Sequence, residues 1–340
     1  MEKIATKATE NLCIGNHSND SIIYTLGQLR TFSATGENTG VNVCKSDIDL
    51  QRENLKKRAR AKYYSQQIIN PLLSLNSSLH TYYERAHSCC ESLHELNGEI
   101  KGKYCDSRVC NVCNRIRTAK LMNGYICQLE KLGDLYFVTL TVRNCKENEL
   151  RATIEKMTKT FRKIQDCMRK YKPTSGLRKI ETTVNHDTNE YHPHFHVLIE
   201  GEKCAEYLLK KWLQLNPEST SIKGQDIRKA DRGSYNELFK YTTKILKNGE
   251  YEDENVLHLY PHSVDVITRS MYKKRAFQTF GSLKKVSEDI EKDDLKTQNY
   301  ESNNTDFWEW CGNDWVNDSG ELLTNYTPTK NIKIVIKQTT

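Results

Sequence analysis

Apolar and polar positions alternate most regularly between residues 135 and 200. In Leu135-Tyr136-Phe137-Val138-Thr139-Leu140-Thr141-Val142, Val138, Leu140 and Val142 share one face, and Thr139 and Thr141 share the other. That period of two marks a strand with one face in a core. Residues 177–184 alternate likewise, with Ile180 and Val184 opposed to Lys179, Glu181 and Thr183. A short turn at 187–189 leads into 191–200, so these two segments are expected to pair as an antiparallel hairpin. Helical periodicity fills the gaps, with an amphipathic helix over 147–171 and another over 204–215, followed by a strand at about 221–228. The order strand–helix–strand–strand–helix–strand is the split arrangement of a ferredoxin-like antiparallel sheet. The expected class is α+β, with helices on one face of the sheet and the other face left available.

The flanks read differently. Residues 1–45 are rich in Thr, Asn, Gly and Ser and read as a flexible leader. From 47 to 85 the pattern is helical, with Arg52, Lys56, Lys57, Arg58, Arg60 and Lys62 ahead of Tyr63, Tyr64, Ile68, Ile69, Leu72 and Leu73. Such a basic helix suits a phosphate backbone. A further helix is expected over 112–132. Another begins near Gly233 and runs to Lys247; Glu237, Tyr241 and Lys244 share one of its faces because they are four and three residues apart. In isolation that ladder is surface decoration, but directly after the last strand it is placed to lie across the available face. Residues 256–272 are apolar, interrupted at Pro261 and helical only beyond it. Acidic residues dominate 286–309, which reads as a linker or exposed helix, and Trp308, Trp310, Trp315 and the Lys-Ile-Val-Ile run at 333–336 suggest a small strand pair. The expected division is a leader (1–45), a basic helix with a cysteine-rich segment (46–132), a central domain (133–285), and an acidic linker with a tail (286–340).

Composition sharpens this. The 340 residues carry a formal net charge of +7 from a dense mixture of both signs, a balance that suits a polyanionic partner. A mean hydropathy of −0.74 points to segments that stay unpacked. No apolar run reaches the length of a membrane span, and residues 1–20 hold no hydrophobic signal core, so a cytoplasmic chain with no membrane partner is expected. The twelve cysteines are then thiols or metal ligands rather than a disulfide framework.

Two clusters carry candidate chemistry. In Tyr191-His192-Pro193-His194-Phe195-His196-Val197, His194 and His196 project side by side, while Phe195, Val197 and Ile199 point into a core. Two imidazoles on a rigid strand make a half-site for a divalent metal. Pro193 breaks the strand geometry between His192 and the other two, which removes His192 from the ligand set. Thr139, Thr141 and Glu181 are expected on the same face. The second cluster has Cys110-x-x-Cys113 on a tight turn, with Cys105 and either Cys89 or Cys90 completing a tetrahedral set. Five of the twelve cysteines fall between 89 and 113, which favours a cluster over a scatter. Four thiolates in a reducing compartment select Zn²⁺, and they leave no open position for catalysis. Lys101, Lys103, Arg108, Arg115, Arg117 and Lys120 crowd around this segment, so Arg108, Arg115 and Arg117, with Arg58 and Arg60 of the basic helix, are candidate DNA contacts.

Three motifs, taken in order, resemble those of the rolling-circle replication initiators of small plasmids, within the HUH endonuclease superfamily. Phe137-Val-Thr-Leu-Thr-Val142 resembles the first; His192-Pro-His-Phe-His-Val-Leu198 resembles the metal-binding second; Tyr241-Thr-Thr-Lys244 resembles the third, which holds the nucleophilic tyrosine. Cys105-x4-Cys110-x2-Cys113 and Arg275…Phe280-Gly281 are similar to the branch with one catalytic tyrosine. The resemblance runs from about 47 to 290 and finds no counterpart for residues 1–45 or the aromatic tail. It implies that Tyr241 attacks a scissile phosphodiester, forming a 5′-phosphotyrosine and freeing a 3′-OH that primes leading-strand synthesis. It implies Mg²⁺ or Mn²⁺ on His194, His196 and Glu181, with Lys244 steadying phosphate or phenolate charge. Cys89 fits the family's spacing better than Cys90 as the first zinc ligand. Glu237, one turn before Tyr241, is placed to act as general base for a second, terminating cleavage. The implied partners are the plasmid's double-strand origin, its exposed single strand, and a host helicase and DNA polymerase. Two other readings share part of this: an HUH transposase acting on transposon ends, and a non-enzymatic zinc-dependent DNA-binding regulator, which makes no use of His194, His196 and Tyr241.

Overall fold

The computed structural model describes residues 47–96, 99–171, 173–239, 246–248, 256–290, 306–328 and 333–337. Helix α1 (Asp47–Leu73) and helix α2 (His80–His87) replace the single helical stretch expected over 47–85. Asn76-Ser77-Ser78 supplies the turn chemistry that parts them, and the Ser77 hydroxyl accepts the Leu79 amide. A hairpin of β1 (Ser92–Leu96) and β2 (Glu99–Gly102) follows, then α3 (Asn111–Leu129).

Next come β3 (Leu135–Thr141), α4 (Glu147–Tyr171), β4 (Gly176–Asn185), β5 (Glu190–Glu200), α5 (Glu202–Leu215) and β6 (Asp226–Lys229). The last strand is shorter than expected because Ile222–Gly224 forms a 3₁₀ turn capped by the Ser221 hydroxyl. The chain continues through α6 (Arg232–Phe239), β7 (Leu246–Asn248), β8 (Val256–Leu259), α7 (Pro261–Met271) and β9 (Phe277–Phe280). The helix expected to run to Lys247 therefore does not: Leu246 pairs antiparallel with Leu259, and Asn248 with Gly249 after it in sequence is turn rather than helix chemistry. Tail strands β10 (Asp306–Trp310), β11 (Trp315–Val316) and β12 (Lys333–Ile336) complete the described chain.

The result is a mixed α/β fold built mainly on antiparallel sheets. Its central sheet has the order β6-β3-β5-β4-β9, with every neighbouring pair antiparallel. One face packs on α4 and α5. Leu150, Ile154, Met157, Phe161 and Ile164 of α4 recur every three or four residues, and they meet Val138, Leu140, Phe195 and Val197 of the sheet and Trp212 of α5. Fully burying each such side chain stabilises by about 1.5–3 kcal/mol. Arg178 lies in this face at 2 % exposure, its guanidinium carbon 4.2 Å from the Phe195 ring centroid and 5.1 Å from that of Phe161.

The opposite face is not left open. Phe137, Leu177 and Leu198 are apolar there, and they are covered by Leu121, Met122, Tyr125 and Leu129 of α3 and Leu238 and Phe239 of α6. The same face carries a buried polar end around His194 and His196. Gly281 ends β9 at φ +69, and a Cβ there would collide with the Thr174 carbonyl oxygen, so only glycine fits after Phe280.

A third core joins α1, α2 and the cysteine loops to the tail, with Trp308, Trp315 and Tyr326 buried among Ile68, Tyr83, Leu93 and Val109. Of the tail strands only β10 and β11 pair with each other; β10 also adds to β1, and the Lys-Ile-Val-Ile strand β12 runs parallel beside β8 instead. No described helix is long and apolar enough to cross a membrane.

Candidate metal centres and their surroundings

Strand register assembles the first centre. His194 lies opposite Thr141 of β3 and Glu181 of β4, and His196 lies opposite Thr139 and Lys179. Opposed residues share a sheet face, so all six meet on the side away from α4. One ligand atom each of Glu181, His194 and His196 lies within 4.8 Å of the others. His196 Nε2 is 3.8 Å from Glu181 Oε2 and 3.9 Å from Glu237 Oε1, which α6 brings in from above. Pro193 does not break β5, which keeps register from Glu190 to Glu200, so His192 shares the face of His194; its ring centroid is 5.4 Å from that of His194, but it is not among the three residues whose ligand atoms converge.

The protonation states suit a cation. His194 Nδ1 lies 3.1 Å from the His192 carbonyl oxygen, to which only an N–H can donate; the lone pair of the neutral ring then sits on Nε2. His196 Nδ1 is 3.4 Å from the Thr139 hydroxyl. Burial, reinforced by neighbouring His194, pushes the His196 imidazole down to about 4, so the ring is neutral near pH 7. Burial alone would raise the Glu181 carboxyl, but Lys179 and then His194 outweigh it and hold the group below its ordinary value. Two imidazoles, that of His196 neutral, beside an ionised carboxylate form a donor set that could coordinate a divalent ion. Lys179 is the residue that sequence reasoning put on this face without a role. Its Nζ is 3.0 Å from Glu181 Oε2 and 3.5 Å from the Glu237 carbonyl oxygen. The signal was available, since Lys179 and Glu181 are two apart on one strand.

Tyr241 and Lys244 lie outside the described residues. Helix α6 ends at Phe239, two positions before Tyr241, with Glu237 already at the centre.

The second centre brings together the thiols of Cys89, Cys105, Cys110 and Cys113, all within 4.8 Å of one another. Cys113 Sγ is 3.6 Å from that of Cys89 and 3.5 Å from that of Cys105. Cys89 rather than Cys90 completes this set; the Cys90 backbone turns away at φ +55, and its carbonyl accepts the Trp315 indole N–H. Burial would raise the Cys110 thiol, but hydrogen bonds from Cys105, Cys113 and Cys89 hold it well below its ordinary value. Four converging free thiols, one of them favoured as thiolate, could coordinate a tetrahedral metal. Lys62 is wholly buried next to them and donates to the His87 carbonyl at 2.8 Å.

The arginines expected on DNA have partners within the chain. Arg58 is buried and donates to the Tyr104 hydroxyl at 3.2 Å, and the Arg60 guanidinium lies over the Tyr64 ring. Arg108 donates to the Lys274 carbonyl and to Glu288 at 2.7 and 2.8 Å. Arg117 is buried and donates to the Glu288 carbonyl, Asn114 and Asp106. Arg115 is half-buried. Arg58, Arg108 and Arg117 therefore brace the cysteine loops instead of presenting free cations, because looped backbone carbonyls need donors and a guanidinium offers five. Among the expected cations of α1, Lys56 and Lys57 do face solvent. Arg108 and Arg117 also tie Glu288 in place, so residues 286–290 are neither linker nor exposed helix.

The sequence family described as Replication protein matches residues 99–328. The chain belongs to this family. The match extends through β10 and β11, so the tail, for which the motifs had shown no counterpart, is family sequence as far as residue 328. Among similar proteins, the Protein rep of Bacillus amyloliquefaciens is 25% identical over 304 residues, 76% of this chain and 84% of that relative. The Protein rep of Streptococcus pneumoniae serotype 2 is 26% identical over 236 residues, 61% of this chain and 71% of that relative. A Protein rep of Staphylococcus aureus is 32% identical over 163 residues, 42% of this chain and 71% of that relative. No solved structure matches the chain.

Proposed function

We propose that this replication protein is a plasmid initiator of the HUH endonuclease superfamily, which nicks one strand of the double-strand origin in the cytoplasm. The observation that carries the reading is the Glu181–His194–His196 cluster, set on adjacent strands with α6 leading toward Tyr241. The sheet order β6-β3-β5-β4, with α4 and α5 on one face, supports a ferredoxin-like core of the kind such nucleases use. A non-enzymatic regulator would have no use for a buried donor set of this kind beside Glu237.

Tyr241 attacks the scissile phosphodiester: a Tyr Oη–P bond forms, the P–O3′ bond breaks, and the phenol proton leaves as the 3′ oxygen gains one. The product is a 5′-phosphotyrosine and a 3′-OH that primes leading-strand synthesis. Glu181, His194 and His196 would hold Mg²⁺ or Mn²⁺, which would supply Lewis-acid polarisation of the phosphate. Lys244 steadies phosphate or phenolate charge. A second strand transfer must end the round; Glu237, whose side chain is 30% exposed, takes the proton of a water molecule for that cleavage. Cys89, Cys105, Cys110 and Cys113 would hold Zn²⁺, which would brace the docking unit, formed by residues 46–132 and the tail, that binds the duplex origin beside the catalytic domain of 133–285. Host helicase and DNA polymerase then extend the freed 3′ end.

The deciding experiment incubates the protein with Mn²⁺ and single-stranded oligonucleotides from its replicon, then maps the covalent adduct by mass spectrometry. An adduct on Tyr241, abolished by Tyr241→Phe, is expected. An adduct on Tyr235, or none with any oligonucleotide, refutes the assignment. Glu237→Ala should still nick but fail to release unit-length circles.

A further inference from the structure

Lys179 is wholly buried, which for an ammonium group requires close anionic or carbonyl partners. It has two, and they belong to different parts of the site. Its Nζ donates to Glu181 Oε2 at 3.0 Å and to the main-chain carbonyl of Glu237 at 3.5 Å. Oε2 is also the oxygen that lies 3.8 Å from His196 Nε2, so the lysine holds the atom on the ligand side of the cluster. The Glu237 carbonyl stands in the last turn of α6, where helix carbonyls carry partial negative charge and attract cations. A divalent ion shared by Glu181, His194 and His196 would compete with the lysine for that carboxylate. It would also stand close to the ammonium in a buried setting, where like charges repel strongly.

We propose that Lys179 is a positioning residue that couples loading of the cation site to helix α6. With no divalent ion bound, its ammonium bridges Glu181 and the α6 carbonyl of Glu237. A divalent ion at Glu181 displaces the ammonium from that carboxylate and loosens its hold on α6, the helix that leads to Tyr241. Helix α6 is thus released only once the site is charged. This rests on the reading of the Glu181–His194–His196 cluster as a divalent-ion site.

The test uses the full chain and Mn²⁺ alone, with no DNA. Mn²⁺ affinity is measured by calorimetry and amide hydrogen exchange is followed across 232–239. In the wild type, saturating Mn²⁺ should speed exchange in α6. Lys179→Met should exchange fast there without Mn²⁺, show no further change on adding it, and bind Mn²⁺ at least about ten-fold more tightly because the competing charge is gone. Lys179→Arg, which keeps a cation, should hold its affinity near that of the wild type. If Lys179→Met does not fold, the wild-type exchange measurement decides alone. Mn²⁺ binding that leaves α6 exchange unchanged in the wild type overturns the coupling and leaves the metal site standing, as does a Lys179→Met protein that binds no more tightly. Absence of Mn²⁺ binding in the wild type overturns both.

Discussion

Asp265 of α7 offers a sharp test of how the cysteine-bearing part of the molecule is held to the central sheet. Its carboxylate is 4 % exposed and accepts from three sources: the Ser77 hydroxyl at 2.5 Å, the Tyr83 hydroxyl at 2.7 Å and Arg269 Nε at 2.7 Å. Ser77 and Tyr83 come from the α1–α2 region, whereas Arg269 also donates to Glu147 at the start of α4. Asp265→Ala removes the common acceptor, takes from Arg269 one of its two carboxylate partners and leaves two buried or half-buried hydroxyls without their acceptor. Breaking a buried charged pair by removing one partner costs about 3–5 kcal/mol. Summing three separate bonds at about 1.5–3 kcal/mol each would count the same carboxylate more than once, so the lower range is the expected loss. Asp265→Asn keeps the shape and one oxygen acceptor and should lose less. Urea unfolding followed by tryptophan fluorescence reads this directly, since Trp308 and Trp315 lie in the core beside Tyr83 and Trp212 lies under the sheet. With a slope of about 3 kcal/mol per M, the midpoint should fall by more than about 1 M. A loss below about 1 kcal/mol for Asp265→Ala would refute the view that this carboxylate is a principal tie between the two cores.

Three further outcomes follow from the geometry. Cys113→Ser, or a strong chelator, should remove one equivalent of bound zinc and alter the emission of Trp308 and Trp315; unchanged zinc content measured by atomic absorption would count against a four-thiolate site. Phe161→Ala should destabilise by about 3–5 kcal/mol, because the ring fills the core between α4 and Phe195 and also lies under Arg178; calorimetric melting checks it. Burial would raise the Glu147 carboxyl, yet Arg269 and His262 hold it below its ordinary value. A lowered carboxylate contributes stability above its unfolded value and loses it as pH falls through the folded one. Glu147→Gln should therefore cost only about 0.2–1 kcal/mol at pH 7, given its exposed position, and the difference should vanish on acidification below the usual carboxylate range. A difference that grows in acid would contradict the pairing.

Much of the central sheet was legible because its signals are local. Leu150, Ile154, Met157, Phe161 and Ile164 repeat at helical spacing, and the expected bounds of 147–171 are those of α4. The alternation of His194 and His196 with Phe195 and Val197 fixes a strand with one chemical and one apolar face. What escaped was non-local. Phe137, Leu177 and Leu198 gave notice that the metal-bearing face must be partly covered, but no spacing rule says that α3 and α6 cover it. Arginines near a cysteine loop read as nucleic-acid contacts by charge alone, whereas Arg58, Arg108 and Arg117 satisfy tyrosine, carbonyl and carboxylate groups brought close by folding. The Cys89–Cys90 choice likewise needed the backbone turn at Cys90, which no residue type announces.

The tail has a consequence for the order in which the molecule can be assembled. Trp315 donates to the Cys90 carbonyl from 225 positions further along the chain, and β10 forms its ladder with β1 across a similar span. Closing so long a loop costs conformational entropy that local helices do not incur, and contacts of this separation form late. During synthesis the thiols of Cys89 to Cys113 are all available early, but the wall that encloses them arrives only with the final strands. A chain interrupted after β9 would keep the whole central sheet while lacking the indole and the strand that close the cysteine pocket. Competence at the two centres is therefore separated along the polypeptide, and the pocket nearest the front of the sequence is the last to be shut.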